Sequence, residues 1–164
     1  MKEPRIVGIG QLAVCHSPEQ LSCLGLGSCV AVILYDPQTR VGGMVHVLLP
    51  KAPQKVDMEG KYADTGTRKL VKEMTLNGAA KDRIVAKLVG GAQMFKNLNV
   101  QFANIGRFNV LEVRKALREF PIRIVAEDVE GDRGRSAFLD SATGHVTVKK
   151  GFSPTRVMEV LFFG

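Results

Sequence analysis

Two apolar runs separated by a proline turn constrain the fold of this chain more than any other feature of its sequence. Residues 24–36 contain the run Cys-Val-Ala-Val-Ile-Leu-Tyr and end at Asp36-Pro37, and residues 41–49 form a second run that Pro50 closes. Apolar and β-branched residues bounded by turn residues are typical of β-strands. The short separation predicts two antiparallel strands joined by a tight turn, which is a β-hairpin.

Two helices are predicted between this hairpin and a strand-rich C-terminal part. Apolar or small residues at helical spacing favour a helix over residues 63–77, with Asp64 as its N-cap and Gly78 beyond its end. A second helix is predicted over residues 109–119, before Pro121. Further strands are predicted at residues 6–14, 83–89, 122–129, 135–140 and 145–150. Strands at both ends with helices between them predict an α+β fold.

The segments outside these elements are predicted to be a loop and a terminal helix. Residues 51–61 are mostly polar and are predicted to form a mobile surface loop. Near the C-terminus, Ser153-Pro154 fits an N-cap followed by a first-turn proline, which predicts a short helix over residues 155–161. The apolar residues 157–163 are expected to pack on the domain, with a contact to a partner protein as the alternative.

The length and charge of the chain limit its functional class. At 164 residues the chain is predicted to be a single domain, residues 1–164, and 45% hydrophobic residues exclude an intrinsically disordered protein. The formal net charge of +7 favours an acidic partner. Because basic and acidic residues are interleaved and Trp is absent, we expect an acidic protein and not nucleic acid. Apolar runs are far shorter than the ~20 residues that span a bilayer, which predicts no membrane insertion.

The cysteines and histidines favour neither a disulfide framework nor a metal site. Three cysteines cannot all pair, and no secretory signal is visible, so the expected location is the reducing cytoplasm. A glycine pair at positions 25 and 27 lacks the third glycine of a dinucleotide-binding motif. We therefore predict no metal and no cofactor. The candidate metal ligands, which lack the spacing of a zinc site, are Cys15, His16, Cys23, Cys29 and His46.

The predicted hairpin places Cys29 on the same face as His46. With a two-residue loop, Pro37-Gln38, the two residues lie directly opposite each other and their Cβ atoms are about 5 Å apart. A four-residue loop, residues 37–40, leaves them as diagonal neighbours on one face, and a three-residue loop puts them on opposite faces. An imidazole beside a thiol can accept its proton, and the resulting thiolate attacks amide and ester carbonyls. The pair is therefore a candidate nucleophile and base.

The residues before Cys29 supply a candidate oxyanion hole. Gly25 and Gly27 permit a tight backbone, and the amides around Gly27, Ser28 and Cys29 can donate to a negatively charged oxygen. The alternative is that Cys29 is a small buried apolar residue and that His46 is a hydrogen-bonded strand histidine. Both interpretations are open on residue pattern alone.

At these residues the chain resembles the bacterial chemoreceptor glutamine deamidase family, CheD. The resemblance covers roughly residues 5–150, the predicted core, and leaves out the tail, residues 151–164. Several motifs in the same order make it specific. They are Gly25-Leu26-Gly27-Ser28-Cys29-Val30, Tyr35-Asp36-Pro37, Gly42-Gly43-Met44-Val45-His46, Leu49-Pro50, Tyr62-Ala63-Asp64, Gly90-Gly91-Ala92, Asn104-Ile105-Gly106 with Asn109-Val110, and residues 128–135.

The resemblance implies a cysteine hydrolase that converts glutamine side chains of methyl-accepting chemotaxis receptors to glutamate through a thioester. Cys29 matches the family nucleophile and His46 the family base. The resemblance also implies two partners, the receptor cytoplasmic domains and a CheC-type phosphatase. The implied fold has packed mixed β-sheets with helices on the outer faces, similar to cytotoxic necrotizing factor. The alternatives are a non-catalytic chemotaxis adaptor that binds the phosphatase, and a basic nucleic-acid binder.

One position departs from the family pattern. The family usually carries Thr six residues before the nucleophile, as a third catalytic residue, and this chain has Cys23 there. A thiol is a weaker hydrogen-bond partner than a hydroxyl. Three interpretations stay open: Cys23 replaces the threonine weakly, Ser22 takes over its role, or activity is low and partner binding dominates.

Overall fold

The computed structural model describes residues 3–94 and 104–151, together with the backbone of residues 156–158. Two helices and a 3-10 turn lie in these residues: α1 Ala63–Leu76, α2 Ile105–Arg118 and the turn Glu59–Lys61. The strands in the same residues are β1 Arg5–Ile6, β2 Leu12–His16, β3 Gln20–Leu26, β4 Val30–Asp36, β5 Val41–Val47, β6 Val85–Gly90, β7 Arg123–Val129, β8 Arg135–Asp140, β9 Val146–Lys150 and β10 Arg156–Met158.

The strands form two five-stranded sheets. The first has the order β1-β3-β8-β9-β10 and the second the order β2-β5-β4-β6-β7. Neighbouring strands are antiparallel except for β1 with β3 and β6 with β7, which are parallel. Mixed sheets with two helices confirm the α+β class. Neither described helix is long and apolar enough to cross a bilayer.

Apolar residues are buried on both faces of the second sheet. On one face, Ala31 and Ile33 pack against residues of the first sheet, such as Leu139. On the other face, Val32 packs with α1 and α2, so both helices lie on a single outer face. A strand buried on both faces has no polar side to alternate, which explains the uninterrupted apolar run of β4.

Several predicted boundaries are wrong because they depend on tertiary pairing. Residues 6–14, predicted as one strand, belong to β1 and β2, which lie in different sheets and are separated by a turn where Gly10 has a φ of +78°. The predicted strand over residues 24–36 is likewise interrupted, because β3 ends at Leu26 and β4 begins at Val30. The local pattern of apolar residues does not show where the chain passes from one sheet to the other.

The helix ends and the C-terminal segment also need correction. Tyr62 is the N-cap of α1 instead of Asp64, whereas Gly78 follows the helix with the expected left-handed φ of +100°. The second helix begins at Ile105, four residues before its predicted start. Residues 51–61, predicted as a loop, contain the 3-10 turn. Residues 156–158 pair with β9 as a strand, so the predicted terminal helix is wrong there, and the rest of it lies outside the described residues.

The Asp36 carboxylate connects the hairpin to the segment that precedes β6 through hydrogen bonds and an ion pair. Asp36 is fully buried, and its carboxylate accepts hydrogen bonds from Arg83 Nη2 at 2.9 Å and from the Ala80 N–H at 2.9 Å. Burial by itself raises the pKa of Asp36, but Arg83 and the surrounding N–H groups lower it to about 2. The resulting stabilisation is complete above the ordinary pKa of 3.8 and is lost as the pH falls through about 2.

We expect Asp36→Asn to lower the free energy of unfolding at neutral pH by about 3 kcal/mol, because the new amide turns its own donors towards the Arg83 guanidinium. Urea unfolding at several pH values measures this loss, which should shrink in acid as the wild-type carboxylate becomes protonated. Asp82→Asn is the matched control, since Asp82 is exposed beside the same arginine. Equal stability of the two variants would contradict the prediction.

Candidate active site

Cys29 lies where the chain crosses from one sheet to the other. It follows the end of β3 in the first sheet and directly precedes Val30, the first residue of β4 in the second. Its side chain packs in the core between the sheets with Ala31 and Val89, and 7% of the residue is exposed. The nucleophile predicted from the sequence is therefore at a sheet junction and close to the surface.

His46 shares a face with Cys29 but is not directly opposite to it. Residues Ala31 and His46 are the paired positions, and Asp36 pairs with Val41. The prediction of a two-residue loop is wrong, and the four-residue alternative, residues 37–40, is confirmed. Cys29 and His46 are thus diagonal neighbours, a relation that places backbones about 7–8 Å apart.

The imidazole of His46 is oriented by the N-terminal segment. Its Nδ1 lies 3.1 Å from the Val7 carbonyl oxygen, which can only accept a hydrogen bond, so Nδ1 carries the proton. In a neutral imidazole Nε2 then has a lone pair, and this buried atom has no hydrogen-bond partner in the described residues. Burial lowers the pKa of His46, and the Val7 carbonyl opposes that shift only in part. At neutral pH the ring is therefore an uncharged base.

Cys29 is a neutral thiol at the same pH. Burial raises the pKa of Cys29, and its own backbone N–H offsets part of that effect. No hydrogen bond joins Cys29 Sγ to His46 Nε2 in the structure, so the two side chains are not a preformed ion pair. Catalytic contacts of this kind often tighten only when substrate binds.

The backbone carbonyls of residues 27–29 are all bound within the protein. Their donors, in chain order, are the Ala92 N–H at 2.8 Å, Asn109 Nδ2 at 2.9 Å and the Gly91 N–H at 2.8 Å. The N–H groups of Ser28 and Cys29, by contrast, donate to no other described residue. Because the C=O and N–H of a trans peptide point in opposite directions, these two donors face away from the groups that bind the carbonyls. They are available to an oxyanion.

Two glycines allow this close packing around Cys29. Gly90 has a φ of +113°, and a Cβ there would lie 2.2 Å from the Cys29 carbonyl oxygen. On α2, a Cβ at Gly106 would lie 2.5 Å from the carbonyl oxygen of Ala92. A side chain at either position would displace the segment that holds residues 27–29.

Cys23, the third predicted site residue, lies in the same core, and no hydrogen bond joins it to His46 in the described residues. It is fully buried in β3, and burial raises its pKa, with a further rise from the nearby Cys29. It is therefore a neutral thiol, while the hydrogen bond that holds His46 comes from Val7. Ser22 precedes Cys23 in the strand and thus faces the opposite side of the sheet, away from Cys29.

Two groups at the site were missed by the sequence reasoning. Val7 acts through its backbone carbonyl, so no side-chain pattern identifies it. Asn109 belongs to a family motif quoted above, but its contact with the loop before Cys29 depends on the packing of α2. The one sequence feature that could have identified Asn109 is its position as an amide on an otherwise apolar face of α2, because a buried amide needs hydrogen-bond partners.

The remaining candidate ligands do not assemble into a metal centre. All three cysteines are free thiols. Within residues 3–94 and 104–151, no group of three or more His, Cys, Asp or Glu side chains is arranged to hold a metal ion.

A family model matches most of the chain that follows His46. Residues 48–150 match the model for CheD, described as CheD chemotactic sensory transduction. The match begins two residues after His46, so it includes neither Cys29 nor His46.

Curated relatives align over nearly the whole chain. The "Chemoreceptor glutamine deamidase CheD" of Thermotoga maritima is 45% identical over 146 residues, covering 89% of this chain and 91% of the relative. Two proteins named "Probable chemoreceptor glutamine deamidase CheD" are also similar. The one from Desulforamulus reducens is 44% identical and covers 93% of each chain. The one from Pyrococcus horikoshii is 47% identical over 92% of this chain and 93% of its own. Alignments of this length include the positions of Cys29 and His46.

Proposed function

We propose that this chain, which belongs to the CheD family, is a cysteine-dependent hydrolase that converts glutamine side chains of chemoreceptors to glutamate. The observation that carries the proposal is the state of His46, whose Nδ1 donates to a fixed carbonyl while its buried Nε2 lone pair is unoccupied on the face shared with Cys29. Amide hydrolysis needs both a proton acceptor for the thiol and a proton donor for the leaving amine. One imidazole in this position supplies both.

The reaction begins when Cys29 Sγ attacks the side-chain carbonyl carbon of glutamine and transfers its proton to His46 Nε2. The carbonyl π electrons move to oxygen, and the N–H groups of Ser28 and Cys29 stabilise the oxyanion. When the oxyanion re-forms its double bond, the C–N bond breaks, the nitrogen takes the proton from Nε2, and ammonia leaves. Water then attacks the thioester after giving a proton to Nε2. Breakage of the C–S bond releases glutamate, and the thiol regains its proton.

Family membership also supports proposals about partners, location and fold. The substrates are the cytoplasmic domains of the receptors, a CheC-type phosphatase is a second partner, and the site of action is the cytoplasm. The net charge of +7 favours encounter with acidic receptor surfaces. Two sheets packed over a shared core, with helices outside, support a fold similar to cytotoxic necrotizing factor.

The experiment that tests the function is incubation of the purified chain with a receptor cytoplasmic domain. Ammonia release should accompany conversion of specific glutamines to glutamates, which peptide mass spectrometry localises. Binding of a CheC-type phosphatase without any ammonia release or change in receptor mass would replace the enzyme by the adaptor alternative. A steep fall in affinity for nucleic acid with salt, in the absence of deamidation, would favour the nucleic-acid binder.

We expect Cys23→Ala to keep the deamidation rate within about tenfold of the wild-type rate, because the group that orients the base is the Val7 carbonyl and a lost general base costs far more. Initial rates on the same receptor domain measure this effect. Cys23→Thr restores the residue usual in the family and serves as the matched control at this position. A rate for Cys23→Ala as low as that of Cys29→Ala would assign Cys23 to the catalytic residues and contradict the expectation.

A further inference from the structure

Asn109 of α2 joins the two segments that carry the candidate nucleophile and base. Its Nδ2 lies 2.9 Å from the Ser28 carbonyl oxygen and 3.0 Å from the Leu48 carbonyl oxygen. Ser28 directly precedes Cys29, and Leu48 follows His46 by two residues. Asn109 is completely buried, so solvent does not compete for either hydrogen bond. A single NH₂ group thus links both halves of the site.

The contact with Ser28 fixes the direction of a backbone donor. The Ser28–Cys29 peptide has its C=O bound at Asn109 on one side, so the N–H of Cys29 points to the other side. This N–H belongs to the same residue as the attacking thiol. The oxyanion of a tetrahedral intermediate forms close to the attacking sulfur, where this N–H can donate a hydrogen bond to it. Rotation of this peptide would move the donor away from the oxyanion.

Packing alone does not explain why the buried residue at position 109 is an asparagine. Its Oδ1 is buried and has no hydrogen-bond partner in the described residues, which costs stability. An aspartate of the same size would bring two acceptors towards two carbonyl oxygens, and an aliphatic residue would leave both carbonyls unpaired. Among uncharged side chains, only an amide supplies two N–H donors from one atom.

We propose that Asn109 is a positioning residue that holds the Ser28–Cys29 peptide so that the Cys29 N–H stabilises the oxyanion. The inference rests on the proposed amidohydrolase function. The hydrogen bonds of Asn109 are to the backbone carbonyls of Ser28 and Leu48 and not to the Cys29 thiol or the His46 ring, so its effect passes through the peptide it holds. The reaction step that depends on it is formation of the tetrahedral intermediate, not the intrinsic reactivity of the thiol.

Two reactions of Cys29 distinguish a loss of oxyanion stabilisation from a loss of thiol reactivity. Deamidation passes through an oxyanion, whereas alkylation of the thiol by iodoacetamide does not. We expect Asn109→Ala to lower the kcat of deamidation at least about tenfold, with KM nearly unchanged, because loss of an oxyanion donor itself costs about 10²–10³. The alkylation rate of Cys29, followed by peptide mass spectrometry, should stay within about threefold of wild type. Asn109→Ser, whose shorter side chain has one donor, should lose kcat in the same direction if Asn109→Ala does not fold.

Val113→Ala is the control for a structural loss, since it opens a cavity at a buried position one turn further along the same helix. It should keep the wild-type kcat at temperatures where it is folded. The inference is overturned if the Asn109 variants match Val113→Ala in kcat, or if alkylation falls as much as deamidation. An inactive wild-type protein would instead overturn the proposed function and this inference with it.

Discussion

Replacing Cys29 with alanine should abolish deamidation of the receptor domain, with a loss of at least ~10⁴-fold in kcat, as expected when the nucleophile of a covalent mechanism is removed. The rate of ammonia release and the mass of receptor peptides measure this loss. Cys29 is the least buried of the three cysteines, with 7% of the residue exposed, while Cys15 and Cys23 are fully buried. Folding should be preserved, because the change removes one sulfur atom at the edge of the core.

Two variants control for this result. Cys15→Ala removes a buried thiol elsewhere in the same core and should leave the rate unchanged. Cys29→Ser keeps the shape of the side chain but presents a hydroxyl, which His46 activates much less readily than a thiol. It should therefore be nearly as inactive as Cys29→Ala. Substantial ammonia release by Cys29→Ala would remove Cys29 as the nucleophile.

The placement of Cys29 and His46 on one face was predicted for both loops with an even number of residues, because adding two residues to the loop does not change the face on which a side chain lies. The register was not settled by the sequence: Pro37 suits a type I turn, which is less favoured in a two-residue loop, so the two-residue and four-residue loops both stayed open. The structure shows what decides it: Asp36 Oδ1 accepts a hydrogen bond from the Gln38 N–H at 3.0 Å, and its carbonyl accepts one from the Arg40 N–H at 2.8 Å. These bonds stabilise the wider loop.

Groups contributed by the backbone or by distant segments could not be predicted. The Val7 carbonyl reaches His46 because β1 pairs with β3, a contact between segments that no local periodicity encodes. The strand at residues 156–158 has the same cause, since pairing with β9 outweighs the local helix signal of Ser153-Pro154. Local signals did locate both main helices, where apolar spacing and packing agree.

Replacing His46 with asparagine should lower kcat by at least ~10³-fold, within the range contributed by a general acid or base. Asparagine is the informative substitution because its side-chain NH₂ can still donate to the Val7 carbonyl while the position of Nε2 is left empty. The base is then lost without the orienting hydrogen bond. His16→Asn is the matched control, since His16 is an exposed strand histidine and its loss should not change the rate.

The pH dependence of the wild-type protein separates a basic role of His46 from a structural one. Burial lowers the pKa of His46, so the neutral ring persists as the pH falls through the ordinary value of 6.5, and activity should be lost only below it. In the same acid range the unfolded chain binds a proton that the folded chain does not, so wild-type stability falls as the pH drops. His46→Asn should lack both effects: its residual rate should be flat there and its stability should fall less. An acid limb that persists in His46→Asn would place the titrating base elsewhere, because asparagine has no proton to gain.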